Sequence, residues 1–277
     1  METTAENTNE FFQCVDVHGV PVNVSGKEQA LREVETIIKS GKGGYVCFFE
    51  GKMLRLALKD ASVRKVLNEA SLVYPDGIVV SSFASLFLNR HVTRVSGPSF
   101  MLDACRYGVE RKWKHFFYGG AEGVAEKMAK KLQEQFPGLQ VAGCYCPPFR
   151  QLTDAEEAGV RKMIEESGAD LLWVGLGGPK QEYWMNAHLN SIHVPVMLGV
   201  GAAFDFHSGN KPWAPAFFRK HGIEWIFRLS TDFRYMFFKV IGALGQIVPV
   251  YTADFFRYRL HLKKYQSLRP RENHKAS

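Results

Sequence analysis

The sequence predicts an α/β fold: an open, mostly parallel sheet with helices on both faces, Rossmann-like, followed by a C-terminal helical appendage. Three observations carry that expectation. Short apolar, β-branched or aromatic runs alternate with helix-periodic stretches between Gly44 and Gly199. Three of those runs end in Glu50-Gly51, Pro75-Asp76-Gly77 and Gly119-Gly120, turn chemistry suited to a strand feeding a crossover helix. After Gly209 the strand signal stops, and Phe, Trp and Arg accumulate at helical spacing.

In order, Gln13–Val24 alternates around His18-Gly19 like a small hairpin. Six strands follow, at Gly44–Phe49, Ser71–Tyr74, His115–Tyr118, Leu139–Tyr145, Asp170–Gly175 and Val194–Gly199. Helix starts are marked by Ser25 before Lys27–Lys39, Gly120 before Glu122–Phe136, and Thr153 before Asp154–Glu166 with acids in the first turn. Ile78–Leu88 is an apolar helix directly after Asp76-Gly77. Trp213–Lys220, Ile223–Phe233 and Tyr235–Phe256 complete the helical end. The predicted organisation is a disordered N-terminus over 1–12, an α/β core over 13–209, an appendage over 210–262 and a basic disordered tail over 263–277.

The 277 residues are 46% hydrophobic and 23% charged, enough apolar material for a substantial core and incompatible with a disordered chain. The 25 glycines follow no collagen period, and no solenoid or propeller repeat is present. Five scattered cysteines fit a reducing cytosol, and Cys144-Tyr-Cys146 matches no zinc spacing. The first twelve residues carry glutamates, no Lys or Arg and no apolar run of the signal-peptide kind. The longest uncharged apolar stretch, Val240–Ala253, is 14 residues with two glycines and a proline, too short to span a bilayer. Charge is unevenly divided. Residues 208–277 hold 13 Lys or Arg against four acids, a net of +9, which leaves −2 for residues 1–207 out of the total of +7. A cationic, aromatic end implies an anionic partner such as membrane lipid, nucleic acid or phosphate.

Ligands of open parallel sheets bind beyond the carboxyl ends of the strands, so chemistry is sought in those loops. Asp76 follows a buried strand and precedes a helix; it can cap that helix, act as a general base toward a sugar hydroxyl, or both. The stretch Gly175–Trp184 runs from a strand end through glycines into a helix start with Lys180 and Gln181 in its first turn, a shape that admits a phosphate. It is neither a P-loop nor a dinucleotide fingerprint, because Gly-Lys-Ser/Thr is absent and Gly-x-Gly is followed by Gly-Pro. Gly199–Gly209 places Asp205 among small residues, with Phe204 or Phe206 as an apolar wall; the plainer reading is a turn packed under a helix. Arg94 offers a guanidinium to a diphosphate, although a solvated surface arginine accounts for it equally well. The nine histidines form no His-x-x-x-His and no Asp-x-Asp occurs, so no metal site is predicted.

Taken together, Pro75-Asp76-Gly77, Arg94-Val-Ser-Gly97, Phe117–Lys127, Gly177-Gly-Pro-Lys-Gln-Glu182, Gly199–Asp205 and Gly222–Leu229 occur in the order seen in the WecG/TagA/CpsF glycosyltransferases, and the chain resembles that family from about Val15 to Lys239. The resemblance implies an inverting, metal-independent enzyme. It would move N-acetylmannosamine, its uronate or another hexose from a UDP-sugar to a polyprenyl-diphosphate-linked acceptor in bacterial surface polysaccharide assembly. By position it implies Asp76 as catalytic base, Arg94 and Gln181 in the active site, Asp205 at the uracil end, and Arg228 and Arg234 closing over the diphosphate at the membrane. The donor pocket is expected to draw on Glu50, Gly77, Gly119, Gly120, Gly177, Lys180, Gly199, Gly201, Phe204 and Asp205. Two departures stand out. Phe48-Phe49-Glu50-Gly51 replaces the usual Thr-Leu-Asn-Pro, which leaves the donor sugar open and makes Glu50 a second carboxylate candidate, and the basic residues after Arg234 are thinned to Tyr235 and Lys239.

The expected partners are a UDP-sugar, a lipid-linked sugar and an anionic membrane surface, with no separate cofactor and no nucleic acid; a homo-oligomer stays open. The expected location is the cytoplasmic face of the plasma membrane, as a peripheral protein. Phe237, Phe238, Ile241, Ile247 and Val248 would meet the bilayer, with Lys239, Arg257, Arg259, Lys263 and Lys264 toward anionic lipid. The chain beyond Arg259 is expected to serve anchoring only. The rival readings are a nicotinamide-dependent oxidoreductase, which shares glycine turns after strands, and a non-catalytic basic protein binding membrane or nucleic acid.

Overall fold

The computed structural model describes residues 12–231 and 233–271, although part of the side chains between Lys220 and Ala243 falls outside the description. A hairpin of β1 (Phe12–Val17) and β2 (Val20–Asn23) leads through α1 (Lys27–Ser40) to β3 (Tyr45–Phe49), α2 (Gly51–Lys59), α3 (Ala61–Glu69) and β4 (Leu72–Pro75). Then come α4 (Ile78–Leu88), α5 (Gly97–Arg111), β5 (Lys114–Gly119), α6 (Val124–Gln135), β6 (Gln140–Tyr145), α7 (Asp154–Glu166) and β7 (Leu171–Gly175). The remainder is α8 (Lys180–His188), β8 (Val196–Gly199), α9 (Ala203–Ser208), α10 (Ala216–Lys220), α11 (Glu224–Thr231), α12 (Phe233–Arg259) and β9 (Arg269–Arg271).

The main sheet has six strands in the order β4-β3-β8-β7-β5-β6, all parallel, as expected of the α/β class. Its inner strands read as near-unbroken apolar runs because helices cover both faces, whereas edge strand β6 is only half-buried. Along β3, Tyr45, Cys47 and Phe49 enter one apolar layer while Val46 and Phe48 enter the other, the two-residue alternation of a pleated strand. Thr153 forms the predicted start of α7 as a full capping box with Glu156. Thr153→Ala is expected to cost about 1 kcal/mol of stability, read as a lower thermal midpoint with no change at the cleft described below.

The C-terminal region is less detached than the sequence implies. Ile247 and Tyr258 of α12 are buried, and Tyr251 and Tyr258 set their rings 5.0 and 5.1 Å from Phe83 and Phe87 of α4. His18, at the hairpin turn, lies 3.1 Å from the buried carboxylate of Asp254. Ile247 therefore faces protein and not bilayer, a correction to the expected anchoring set; the side chains of Phe237, Phe238, Lys239 and Ile241 lie outside the described residues. No helix among the described residues is long and apolar enough to cross a membrane.

A second correction concerns residues 263–271, which return to the fold instead of trailing away. The Gln266 amide pairs with the backbone of Asp16, donating to its carbonyl at 2.9 Å and accepting from its N–H at 3.1 Å. Strand β9 then adds to β1 in antiparallel register, so that β1 becomes the centre of a second sheet, β2-β1-β9. Arg271 is 4% exposed. It donates to the carbonyls of Leu67 (3.1 Å) and Ala70 (2.6 Å) at the C-terminus of α3, and to the carbonyl of Pro21. Helix ends expose unpaired carbonyls and negative partial charge, so a buried guanidinium is satisfied there without a carboxylate. Residues 1–11 and 272–277, assigned to the disordered ends, lie outside the described residues.

Candidate active site

A cleft of ≈ 440 Å³ opens at the carboxyl ends of β4, β3 and β8 and the loop after β7, walled on its outer side by Gly222 and Glu224. Of the residues singled out in the sequence, Glu50, Asp76, Gly77, Arg94, Gly177, Gln181, Gly199 and Gly201 all line it. Their convergence follows from the sheet: β3 pairs with β4 on one side and β8 on the other, so three strand ends share one edge.

Asp76 is set by two backbone bonds. Its N–H donates to the Phe49 carbonyl at 2.9 Å, and its carboxylate accepts the N–H of Gly97, the first residue of α5, at 3.1 Å. The sequence suggested a cap for α4; instead Gly77, with φ of 85°, makes that turn without a side-chain bond, and Asp76 serves the neighbouring helix. Burial lifts its carboxyl to about 7, aided by the negative charges of Glu50 and Glu224 and opposed by the Gly97 hydrogen bond and Arg94. A carboxyl poised near neutrality suits proton transfer.

Arg94 pairs with Glu224 of α11 at 3.2 Å and donates to the carbonyl of Arg219, which pins the start of the helical appendage to the cleft. Gln181, 5% exposed, accepts the N–H of Gly177 at 3.1 Å and donates to Glu182 at 2.9 Å, so that it shapes the glycine turn. Glu182 is 1% exposed, its second oxygen has no hydrogen-bond partner, and burial raises its pKa, with the Gln181 bond opposing and Glu50 assisting. Beneath the cleft, Phe48 sits 5.5 Å from Phe100 and 6.1 Å from Tyr74, ring centre to ring centre, which makes an aromatic floor.

Several predicted donor residues stand elsewhere. Phe204 is buried against Gly175 and the Phe117 ring, and the cleft wall is Phe206. Gly119 and Gly120 serve packing: a β-carbon on Gly119 would lie 2.6 Å from the Gly175 backbone, so the close passage of β5 and β7 demands glycine there, and one on Gly120 would lie 2.9 Å from Val124 of α6. Asp205 of α9 is ion-paired with Lys211 beyond that helix, and Lys180 is exposed outside the lining. The side chains of Arg228 and Arg234 lie outside the described residues. Glu182 and Glu224 were missed as site residues although both fall inside motifs quoted for the family resemblance. Among the described residues no three His, Cys, Asp or Glu side chains converge to hold a metal ion.

Fold and cleft together define a Rossmann-like protein with an acid of near-neutral pKa at the carboxyl edge of its sheet. Comparison with known proteins is more specific. Residues 15–264 match the model of the Glycosyl transferase WecG/TagA/CpsF family, and the chain belongs to that family. One similar protein is the N-acetylglucosaminyldiphosphoundecaprenol N-acetyl-beta-D-mannosaminyltransferase of Bacillus spizizenii, 28% identical over 200 residues that cover 71% of this chain and 75% of the relative. A protein of the same name from Staphylococcus aureus is 27% identical over 252 residues, 90% of this chain and 95% of the relative.

Proposed function

We propose that this glycosyltransferase moves a hexosyl group, N-acetylmannosamine, its uronate or another hexose, from a UDP-sugar to a polyprenyl-diphosphate-linked sugar with inversion at the anomeric carbon. The observation that carries the reading is Asp76: a carboxyl with a pKa near 7, at a cleft shared by three strand ends, in a chain whose relatives are named for transfer to a diphosphoundecaprenol-linked sugar. Asp76 takes the proton of the acceptor hydroxyl as its oxygen attacks the anomeric carbon. The bond from that carbon to the diphosphate breaks, and UDP departs with the electron pair. Arg94 exchanges its Glu224 partner for the diphosphate, a trade of one charge-assisted bond for another. Arg228, Arg234 and the N-terminus of α8 add to the stabilisation of the leaving charge.

The reading places the protein at the cytoplasmic membrane face. Phe256, Leu260 and Leu262 are 54, 64 and 73% exposed at and beyond the end of α12, among the exposed Arg257, Arg259, Lys263 and Lys264, a mixture suited to an anionic bilayer surface. A panel of UDP-sugars assayed for transfer to a short-chain lipid-diphosphate-sugar tests the function. Product from one of them is expected, and none from any would overturn the reading. Transfer is further expected to survive EDTA, since cationic side chains are assigned the leaving charge; full loss restored by Mg²⁺ or Mn²⁺ would overturn that assignment.

A further inference from the structure

A lysine that no sequence motif singled out, Lys52, lines the cleft from the first turn of α2. Of the two cations in that lining, Arg94 is held by Glu224 at 3.2 Å, whereas Lys52 has no carboxylate within ion-pair distance among the described residues. Its half-buried ammonium donates to the carbonyl of Gly178, in the glycine turn between β7 and α8. An ammonium carries three donors, so two remain for a ligand. The strand order β4-β3-β8-β7 fixes the side from which it approaches. Asp76 directly follows β4, while the bond from Lys52 to Gly178 reaches from the end of β3 to the loop after β7. The carboxylate therefore stands toward one side of the cleft and the ammonium toward the other, with the ends of β3 and β8 between them. Inversion calls for that separation, because the attacking hydroxyl and the departing group lie on opposite faces of the sugar.

We propose that Lys52 is a catalytic residue, which binds the donor phosphate bonded to the sugar and stabilises it as UDP departs. As the bond from the anomeric carbon to that phosphate oxygen breaks, the electron pair stays on the oxygen. The ammonium donates a hydrogen bond to it and keeps its own proton. Arg94, on the Asp76 side, reaches the diphosphate only by releasing Glu224. Lys52 has no ion pair to give up, so it meets the donor first. The opposing role is a strap that merely holds the glycine turn through the Gly178 carbonyl, and the two roles differ in which phosphate of the nucleotide feels the loss of Lys52. The inference rests on the proposed transfer reaction for its ligand, and its test is separable from it.

The probes are UDP and UMP, bound to the full chain and followed by calorimetry; they differ by the terminal phosphate assigned to Lys52. Wild type is expected to bind UDP about 10-fold or more tightly than UMP, the usual weight of one hydrogen bond to a charged group. Lys52→Gln, which keeps a donor for the Gly178 carbonyl but no charge, is expected to weaken UDP about 10-fold or more and to leave UMP unchanged. Lys52→Arg, which keeps the charge, should retain most of the UDP affinity. In transfer assays Lys52→Gln is expected to lower kcat about 10-fold or more and to leave KM for the lipid acceptor unchanged. Equal weakening of UDP and UMP would identify a strap and overturn the assignment. So would absence of UDP binding to wild type, unaltered UDP affinity in Lys52→Gln, or the same loss in Lys52→Arg. Wild-type transfer by Lys52→Gln would refute the role of Lys52 and keep the reaction, whereas Lys52-dependent UDP binding by a protein that transfers no sugar would refute the reaction and keep the phosphate site.

Discussion

Asp76→Asn is expected to reduce transfer by about 10²–10⁴-fold, the usual weight of a general base, and at the same time to raise the thermal midpoint at pH 8. Both effects come from one environment. Burial raises the carboxyl from its ordinary 3.8 to about 7. Below 3.8 the group is protonated in folded and unfolded chains alike and contributes nothing to the pH dependence. Between 3.8 and 7 the folded protein retains a proton that the unfolded chain has released, so stability falls as pH rises and levels off above 7. Asn carries no charge to bury, and its side-chain oxygen still accepts the Gly97 N–H. Wild-type turnover should climb with pH through about 7, as a base requires, while the variant stays inactive throughout. Turnover at the wild-type level, or no gain in midpoint at pH 8 relative to pH 4, would contradict the assignment.

Ending the chain after Arg259 is expected to lower the thermal midpoint by roughly 10 °C. The cut removes β9 and the Gln266 and Arg271 contacts, and with them several hydrogen bonds to a buried guanidinium at about 1.5–3 kcal/mol each. A loss of roughly 3–5 kcal/mol corresponds to such a shift at about 2–4 °C per kcal/mol for a domain of this size. Arg271→Gln alone should give half or more of it. From composition, the same truncation touched only membrane attachment; the fold makes it a stability experiment, and an unchanged midpoint would show that the segment carries no load.

The inner parallel strands were legible because they are buried on both faces and therefore largely apolar, while edge strand β6 is only half-buried; Asp76 and Gln181 were legible because strand ends announce themselves by glycine and acid, whereas Arg94, between two helices, was legible only through the family resemblance. Helices α2 and α5 were not, since each begins inside a turn already read as a site motif, Glu50-Gly51 and Arg94–Gly97. Phe204 and Phe206 could not be told apart: α9 has six residues, too few for helical periodicity to declare which ring points inward. Strand β9 is Arg-Pro-Arg, with no β-propensity at all, and its place is dictated by α3 carbonyls some two hundred positions earlier. Glu224 enters the site only because Arg94 reaches across to it, a pairing that no local pattern contains.

The closure of β9 on β1 also sets an order of events during biosynthesis. Asp16 and Gln266 are separated by 250 residues, so at about 5–20 residues per second a nascent chain spends roughly 10–50 s with β1 made and its outer edge unpaired. In that interval the main sheet can assemble, because β8 is complete by residue 199. Helix α12 follows: it leaves the ribosome with the apolar faces of Ile247 and Tyr258 bare, to be received by the hairpin, α2 and α4. Residues 266–271 emerge only after α12 and fasten the segment behind it to β1 of the hairpin, so the docking of α12 becomes permanent at that late step.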